Sequence, residues 1–170
     1  MAPNVLFLVC EQLQAQRLGC YGYPLDTSPT MDALAGDGTR FANCFSHTPK
    51  CGPSRAAVLT GRYPAGGGYM KLATKLKPHS PNIVRSFRES GYRTHLFRKN
   101  HQVDEDTMPQ TYDEFIPGSE MGGTAEHQYD DPGSHPLWSA LYRGENQVEP
   151  EEAVDAHVAR KVAERINESG

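Results

Sequence analysis

The longest apolar run of the chain extends from Val5 to Cys10 and contains two valines. Together with Asn4 it has the continuous pattern of a strand that is buried on both faces, as in the centre of a parallel sheet. The run ends at Glu11 and Gln12. Ligands of open α/β sheets bind beyond the carboxyl ends of strands, so these two residues are candidate site residues. The alternative is a solvent-exposed loop.

Downstream, apolar positions alternate between helical and extended periodicity. A helix is predicted over Thr30–Ala35, with Ser28 as its cap, and a short strand over Thr39–Phe45. A second helix begins at Ser80-Pro81 and ends at Gly91, and a strand follows over Tyr92–Phe97. This order of elements predicts an α/β fold with a mostly parallel sheet and flanking helices.

Two more helices complete this prediction. One lies within Cys51–Arg62, where Pro53 suits the first helical position and Gly61 suits a left-handed cap. The other is the last helix of the chain, indicated by apolar residues at four-residue spacing, namely Val154, Val158, Val162 and Ile166. For the helix that begins at Ser80-Pro81, we expect Ile83, Val84 and Phe87 on the buried face.

The helix within Cys51–Arg62 also carries candidate chemistry. Cys51 lies at its N-terminal end, where free N–H groups and the helix dipole favour an anion, and Arg55 follows about one turn later. A nucleophile and a fixed positive charge are therefore close in sequence. Two other interpretations remain: Cys51 is a small buried residue, or it forms a zinc site with Cys44 and His47.

Composition limits the function classes. The chain has 170 residues and a net charge of −4, from 17 Lys and Arg against 21 Asp and Glu. This balance argues against generic binding to nucleic acid or to a membrane surface, because both require a basic field. Its four cysteines do not make a disulfide scaffold. The sequence shows neither a membrane-spanning stretch nor a signal peptide, so we expect a cytoplasmic location.

The segment Cys51-Gly52-Pro53-Ser54-Arg55, followed by Leu59-Thr60-Gly61-Arg62, resembles the signature of the type I sulfatases. That resemblance implies the alkaline-phosphatase-like α/β fold. Other landmarks of the family precede this segment in the same order and spacing. They are Pro3–Phe7, Leu18–Gly22, Ser28–Ala35 and Gly38–Asn43. Downstream, Tyr112–Phe115 resembles a further landmark of the family.

The resemblance also implies roles for individual residues. A formylglycine-generating enzyme would convert Cys51 to formylglycine, whose hydrate is the nucleophile, and Arg55 would orient it. The segment Lys99-Asn100-His101 resembles the family's Lys-x-His motif, in which both residues contact the sulfate ester. Arg98 stands where the family usually has glycine. The implied substrate is a small-molecule or saccharide sulfate ester.

A divalent metal is the implied cofactor, with Ca²⁺ expected and Mg²⁺ or Mn²⁺ as alternatives. The family usually places two aspartates after the first strand, whereas this chain has Glu11 and Gln12. Glutamine at the second position is similar to variants in choline sulfatases and phosphonate monoester hydrolases, and its carbonyl oxygen can bind a hard cation. The resemblance therefore implies a metal site at Glu11, Gln12 and residue 51.

The resemblance covers only the N-terminal part of a sulfatase. Residues 1–170 are expected to be the N-terminal portion of a single sulfatase-like domain, incomplete at its C-terminus, because the family's later metal ligands, histidine and lysine find no match. Two alternatives to a sulfatase remain. One is a phosphonate or phosphate monoester hydrolase of the same superfamily, and the other is a truncated, non-catalytic remnant.

Overall fold

The computed structural model describes residues 2–11, 13–120, 122, 149 and 151–168. The chain divides into two compact units, Met1–Phe45 and Ser46–Gly170. Within the described residues, no helix is both long and apolar enough to cross a membrane.

The first unit is built around helix α1, Pro29–Asp37, and the short 3₁₀ helices Ala15–Arg17 and Gly19–Tyr21. Asp32 of α1 accepts hydrogen bonds from the Cys20 amide at 2.6 Å and from the Ser28 hydroxyl at 3.0 Å. The Cys20 amide and the Ser28 hydroxyl hold the pKa of Asp32 below its ordinary value, against the opposing effect of desolvation. An ionised carboxylate thus ties the 3₁₀ turn to the start of α1.

Two strands predicted in this unit are absent from it. Residues 4–10 and 39–45 make no strand, and the side chains of residues 5–9 are 49–70% exposed. An apolar run becomes a central strand only when neighbouring strands satisfy its backbone N–H and C=O groups. In the described part of the chain, the only strands are those of the second unit.

The second unit contains helices α2 (Cys51–Thr60), α3 (Pro64–Gly67), α4 (Ile83–Glu89), α5 (Met108–Thr111) and α6 (Val154–Glu168). Its sheet pairs β1, His95–Arg98, in parallel with β2, Glu114–Pro117. His95 lies opposite Glu114, and Arg98 lies opposite Pro117. A parallel sheet with flanking helices confirms the predicted α/β class.

Helix α4 follows the prediction with two corrections. Its cap is Asn82, not Ser80: the Asn82 Oδ1 atom accepts from the Val84 and Arg85 amides at 3.1 and 3.4 Å. The amide nitrogen of Asn82 also donates to the Thr111 hydroxyl at 3.1 Å, which links α4 to α5. Ile83 is 52% exposed, so it does not belong to the buried face.

The core of the second unit is a small cluster that joins α2 to the segments around β1. Its buried members are Ala56, Tyr69, Leu76, Val103 and Tyr112. Apolar side chains of α2, α4, β1 and α5 pack against it, namely Leu59, Val84, Leu96 and Met108. Burial of these side chains is the main stabilising contribution to this unit.

Candidate active site

Helix α2 begins at Cys51 itself. Lys50 is its cap residue, with extended backbone, and the carbonyl of Lys50 accepts from the Ser54 amide at 3.0 Å. Pro53 is therefore the third helical residue, not the first as predicted. The position suits proline all the same, because the first four N–H groups of a helix have no partner within it.

Gly61 ends α2 as predicted. Its φ of +65° lies in the left-handed region, and its amide donates to the Ala57 carbonyl at 2.8 Å. At the other end, Gly52 is buried against a neighbouring loop: a Cβ atom there would lie 2.7 Å from the carbonyl oxygen of Leu72. Close backbone approach at Gly52 thus fixes the turn that carries Cys51.

Cys51 and Arg55 are four residues apart on α2 and therefore share one face of the helix. Both side chains are half-buried. Burial raises the pKa of the Tyr112 phenol, an effect partly opposed by the positive charge of Arg55. Arg55 therefore lies near a neutral phenol, at the edge of the buried cluster to which Tyr112 belongs.

Lys99 and His101 directly follow β1, as the sequence predicts. The residue between them, Asn100, organises this loop through its side chain. Its Nδ2 atom donates to the Val103 carbonyl at 2.6 Å. Its Oδ1 atom accepts from the backbone amides of Gln102 and Val103 at 3.2 and 3.0 Å. Lys99 and His101 are half-buried, which differs from an ordinary exposed turn.

Helix α2 and the Lys99–His101 loop meet on the same buried cluster. Ala56, adjacent to Arg55, and Val103, two residues after His101, are both members of it. The Gln102 carbonyl accepts from the Leu76 amide at 2.7 Å and ties the loop to that cluster. The structure thus brings together the two segments that carry the four predicted catalytic residues. The individual roles of those residues stay predictions.

The metal ligands predicted after the first apolar run, Glu11 and Gln12, belong to the first unit. Glu11 is exposed and lies in a turn of the first unit, directly after the apolar run. Gln12 lies outside the described residues. Among the described residues, no group of three or more His, Cys, Asp or Glu side chains could hold a metal ion. The zinc alternative therefore gains no support, whereas the oxygen donor of Glu11 suits a hard cation such as Ca²⁺.

Sequence reasoning missed two organising residues of the candidate site. One is Asn100, which the sequence shows only as the middle residue of the Lys-x-His motif. Asparagine commonly caps turns through its side chain, so this residue type was the available signal. The other is Ser54, whose hydroxyl lies 2.9 Å from the Ser46 hydroxyl and joins α2 to the segment before it.

Comparison with known proteins places this chain in a family. The Sulfatase family model matches residues 3–169. The chain belongs to the sulfatase family. Among curated relatives, it is 32% identical over 111 residues to an N-acetylglucosamine-6-O-sulfatase of Bacteroides thetaiotaomicron. This match covers 65% of this chain and 19% of the relative. It is 44% identical over 66 residues to human arylsulfatase A, covering 39% of this chain and 13% of that protein.

Two solved structures extend the comparison. One is a complex of a protein with its substrate D-glucosamine-2-N,6-O-disulfate. The protein in that complex is 30% identical to this chain, with a TM-score of 0.56. The match covers 66% of this chain and 23% of the other. The second, the crystal structure of Ps i-CgsB, is 23% identical with a TM-score of 0.66, over 92% of this chain and 39% of the other, and supports the fold alone. This sulfatase-family chain spans about a fifth of the length of its first curated relatives.

Proposed function

We propose that this chain carries the nucleophile-bearing part of a sulfuric ester hydrolase. The observation that carries the proposal is the position of Cys51 as the first residue of α2, with Arg55 on the same face, in a chain of the sulfatase family. Named relatives of this chain are sulfatases. An anionic ester group at this end of α2 would lie close to unpaired helix N–H groups.

The nucleophile would be a formylglycine formed from Cys51 by a formylglycine-generating enzyme. Hydrated to a geminal diol, it would attack sulfur with one hydroxyl and expel the alcohol, and loss of the other hydroxyl's proton would re-form the aldehyde as sulfate leaves. An unmodified thiol has no second hydroxyl for that last step. Arg55 would hold the diol in position, since a guanidinium donates several N–H groups in a fixed plane.

Lys99 and His101 would act on the sulfate group and the departing alcohol. A lysine ammonium stabilises negative charge on sulfate oxygens, and a histidine donates a proton or a hydrogen bond to the leaving oxygen. Their half-buried positions favour this, because charge interactions are stronger where water is partly excluded.

A divalent metal is part of the same proposal. Glu11 and Gln12 would supply oxygen ligands, with residue 51 as a third group, and Ca²⁺ suits these ligands better than a softer ion; Mg²⁺ and Mn²⁺ are the alternatives. A bound metal would supply Lewis acidity toward the ester oxygens. Ca²⁺ takes six to eight oxygen ligands, so a complete site would need further oxygen ligands beside Glu11, Gln12 and residue 51.

A sulfated saccharide is the substrate class to test first. One solved relative is described as a complex with D-glucosamine-2-N,6-O-disulfate, and one curated relative is an N-acetylglucosamine-6-O-sulfatase. Small-molecule sulfate esters are the second class, and the common feature is the sulfate monoester.

The test is a paired assay of a sulfate ester and a phosphonate ester, after co-expression with a formylglycine-generating enzyme. We expect turnover of the sulfate ester that falls to background in Cys51→Ala. Faster turnover of the phosphonate ester would instead favour the phosphonate hydrolase alternative. No turnover of either ester by chain whose residue 51 is modified would support the non-catalytic alternative.

A further inference from the structure

Arg98, the last residue of β1, has an unusual backbone. Its φ is +72°, and among the described residues it is the one non-glycine residue with positive φ. The Lys99 amide donates to the Phe97 carbonyl at 3.2 Å, so these three residues form a γ-turn centred on Arg98. A γ-turn with positive φ is rare and strained, and an L-residue in it costs about 1–2 kcal/mol. Glycine would adopt it without this cost.

The Arg98 side chain makes interactions that partly offset this strain. Its guanidinium forms an ion pair with Asp155 in the first turn of α6. Its stem lies over Gly118, where an added Cβ atom would be 3.4 Å from the Arg98 Cγ atom. Asp155 also suits its own position, because an acidic side chain favours the N-terminal turn of a helix. Neither attachment would exist with glycine at residue 98.

The γ-turn sets the direction in which the backbone leaves the sheet. Before it, the register of β1 with β2 fixes Arg98 opposite Pro117. After it, the Asn100 side chain fixes the loop through its bonds to Gln102 and Val103. Lys99 lies between these two fixed points, so the backbone conformation of Arg98 determines the position of Lys99.

From this geometry we infer that Arg98 is a positioning residue for Lys99, acting through its ion pair with Asp155. Strained backbone persists where surrounding interactions hold it, and it concentrates at functional sites. The inference rests on the proposed function for what Lys99 contacts, namely a sulfate group. It adds that α6 contributes to that site through the ion pair between Asp155 and Arg98, which stabilises the turn.

The test uses the full chain, NMR and inorganic sulfate as the probe. The one-bond Cα–Hα coupling of residue 98, which differs between positive and negative φ, reports the turn. Sulfate titration followed at the Lys99 and His101 amides reports the site. In Asp155→Asn we expect the coupling to move toward negative φ and sulfate binding to weaken about two- to fivefold, the range for loss of one exposed ion pair.

Two matched variants separate positioning from general stability. Arg98→Lys keeps the charge and should keep both the coupling and the sulfate affinity near wild type. Glu164→Gln removes a carboxylate of the same helix that pairs with Lys161 at 3.6 Å, and it should change neither. The inference is overturned if Asp155→Asn leaves the coupling at its wild-type value, or if Glu164→Gln shifts it equally.

Failure of the proposed function would look different. If sulfate perturbs neither the Lys99 nor the His101 amide in the wild-type chain, the sulfate role of these residues fails. The coupling of residue 98 needs no ligand, so its response to Asp155→Asn still decides whether the ion pair holds the turn.

Discussion

Asp113 connects three parts of the second unit, and its ionisation should make that unit sensitive to acid. Its carboxylate accepts from the Thr94 amide at 2.8 Å, from the Arg88 Nε at 2.8 Å and from the Thr94 hydroxyl at 3.2 Å. The Thr94 amide and then Arg88 lower the pKa of Asp113 from 3.8 to about 2, against a smaller opposing effect of desolvation. The start of β1, the start of β2 and α4 thus depend on one charged group.

The size and the sign of the effect follow from linkage. A pKa of about 2 against 3.8 sets an upper limit of about 2.4 kcal/mol of stabilisation at neutral pH. The Asp113 side chain is 31% exposed and that of Arg88 is 39% exposed, so solvent screening reduces this to about 1 kcal/mol. Because the folded pKa is the lower one, the stabilisation is full well above pH 3.8. It is lost as the pH falls toward 2, and about half of it is gone by about pH 3.

The perturbation is Asp113→Asn, which keeps the shape and removes the charge. Urea unfolding followed by circular dichroism at pH 7 should show a free energy of unfolding lower by about 1 kcal/mol, and the difference from wild type should halve by about pH 3. The control is Asp106→Asn, which removes a carboxylate from an exposed residue of the same unit. Two results would refute the reasoning. One is a midpoint near pH 3.8 when the Asp113 carboxyl is titrated through its Cγ chemical shift. The other is a difference in unfolding free energy between wild type and Asp113→Asn that stays constant with pH.

Three further substitutions test the local structure. Asn82→Ala should lower the free energy of unfolding by about 1–2 kcal/mol in urea, because α4 loses its cap and Thr111 loses a buried partner. Gly52→Ala should lower the melting temperature, since its Cβ would meet a backbone oxygen at 2.7 Å. Asp32→Asn should speed hydrogen exchange at the Cys20 amide, because the charged acceptor of that amide is lost.

Two of these substitutions have a matched comparison, and the third has a contradicting outcome. Asn82→Asp keeps the capping oxygen but loses the donor to Thr111, so it should be less destabilising than Asn82→Ala; equal effects would contradict the double role of Asn82. Gly66→Ala adds the same methyl group where no atom outside its own helix backbone and chain neighbours lies within 4 Å, so a loss equal to that of Gly52→Ala would contradict the close approach. Unchanged exchange at Cys20 would exclude Asp32 as its acceptor.

Local signals predicted the helices better than the strands. Helix α2 ends at Gly61 as expected, because a left-handed glycine is a property of a few neighbouring residues. The pattern predicts β1 over Tyr92–Phe97, and the structure has it over His95–Arg98. In contrast, the pattern predicts no strand at Glu114–Pro117, because its two strand-forming residues, Phe115 and Ile116, stand between a glutamate and a proline. It forms a strand through its register with β1, and strand propensity depends strongly on such context.

The apolar run at residues 4–10 is the opposite case, a predicted strand that does not form. Its composition is that of a central strand, yet five of its side chains are 49–70% exposed and it makes no ladder. Periodicity reports which residues favour burial, but the pairing partner of a strand is distant in sequence. The absence of a strand here therefore does not follow from the run itself.

At the candidate site, spacing predicted more than conformation. The four-residue separation of Cys51 and Arg55 was sufficient to place them on one face of a helix. The positive φ of Arg98 was not predictable, since that region disfavours side chains and the ion pair with Asp155 spans 57 residues of sequence. The side-chain bonds of Asn100 likewise depend on the loop already being formed.

The central claim is that residue 51 becomes the nucleophile, and the mass of one tryptic peptide tests it most directly. Trypsin cleaves after Lys50 and Arg55, which releases residues 51–55, and the adjacent peptide of residues 41–50 carries Cys44 as an internal control. After co-expression with a formylglycine-generating enzyme, we expect formylglycine in the first peptide and unmodified cysteine in the second. A first peptide that remains entirely cysteine under these conditions would contradict the account.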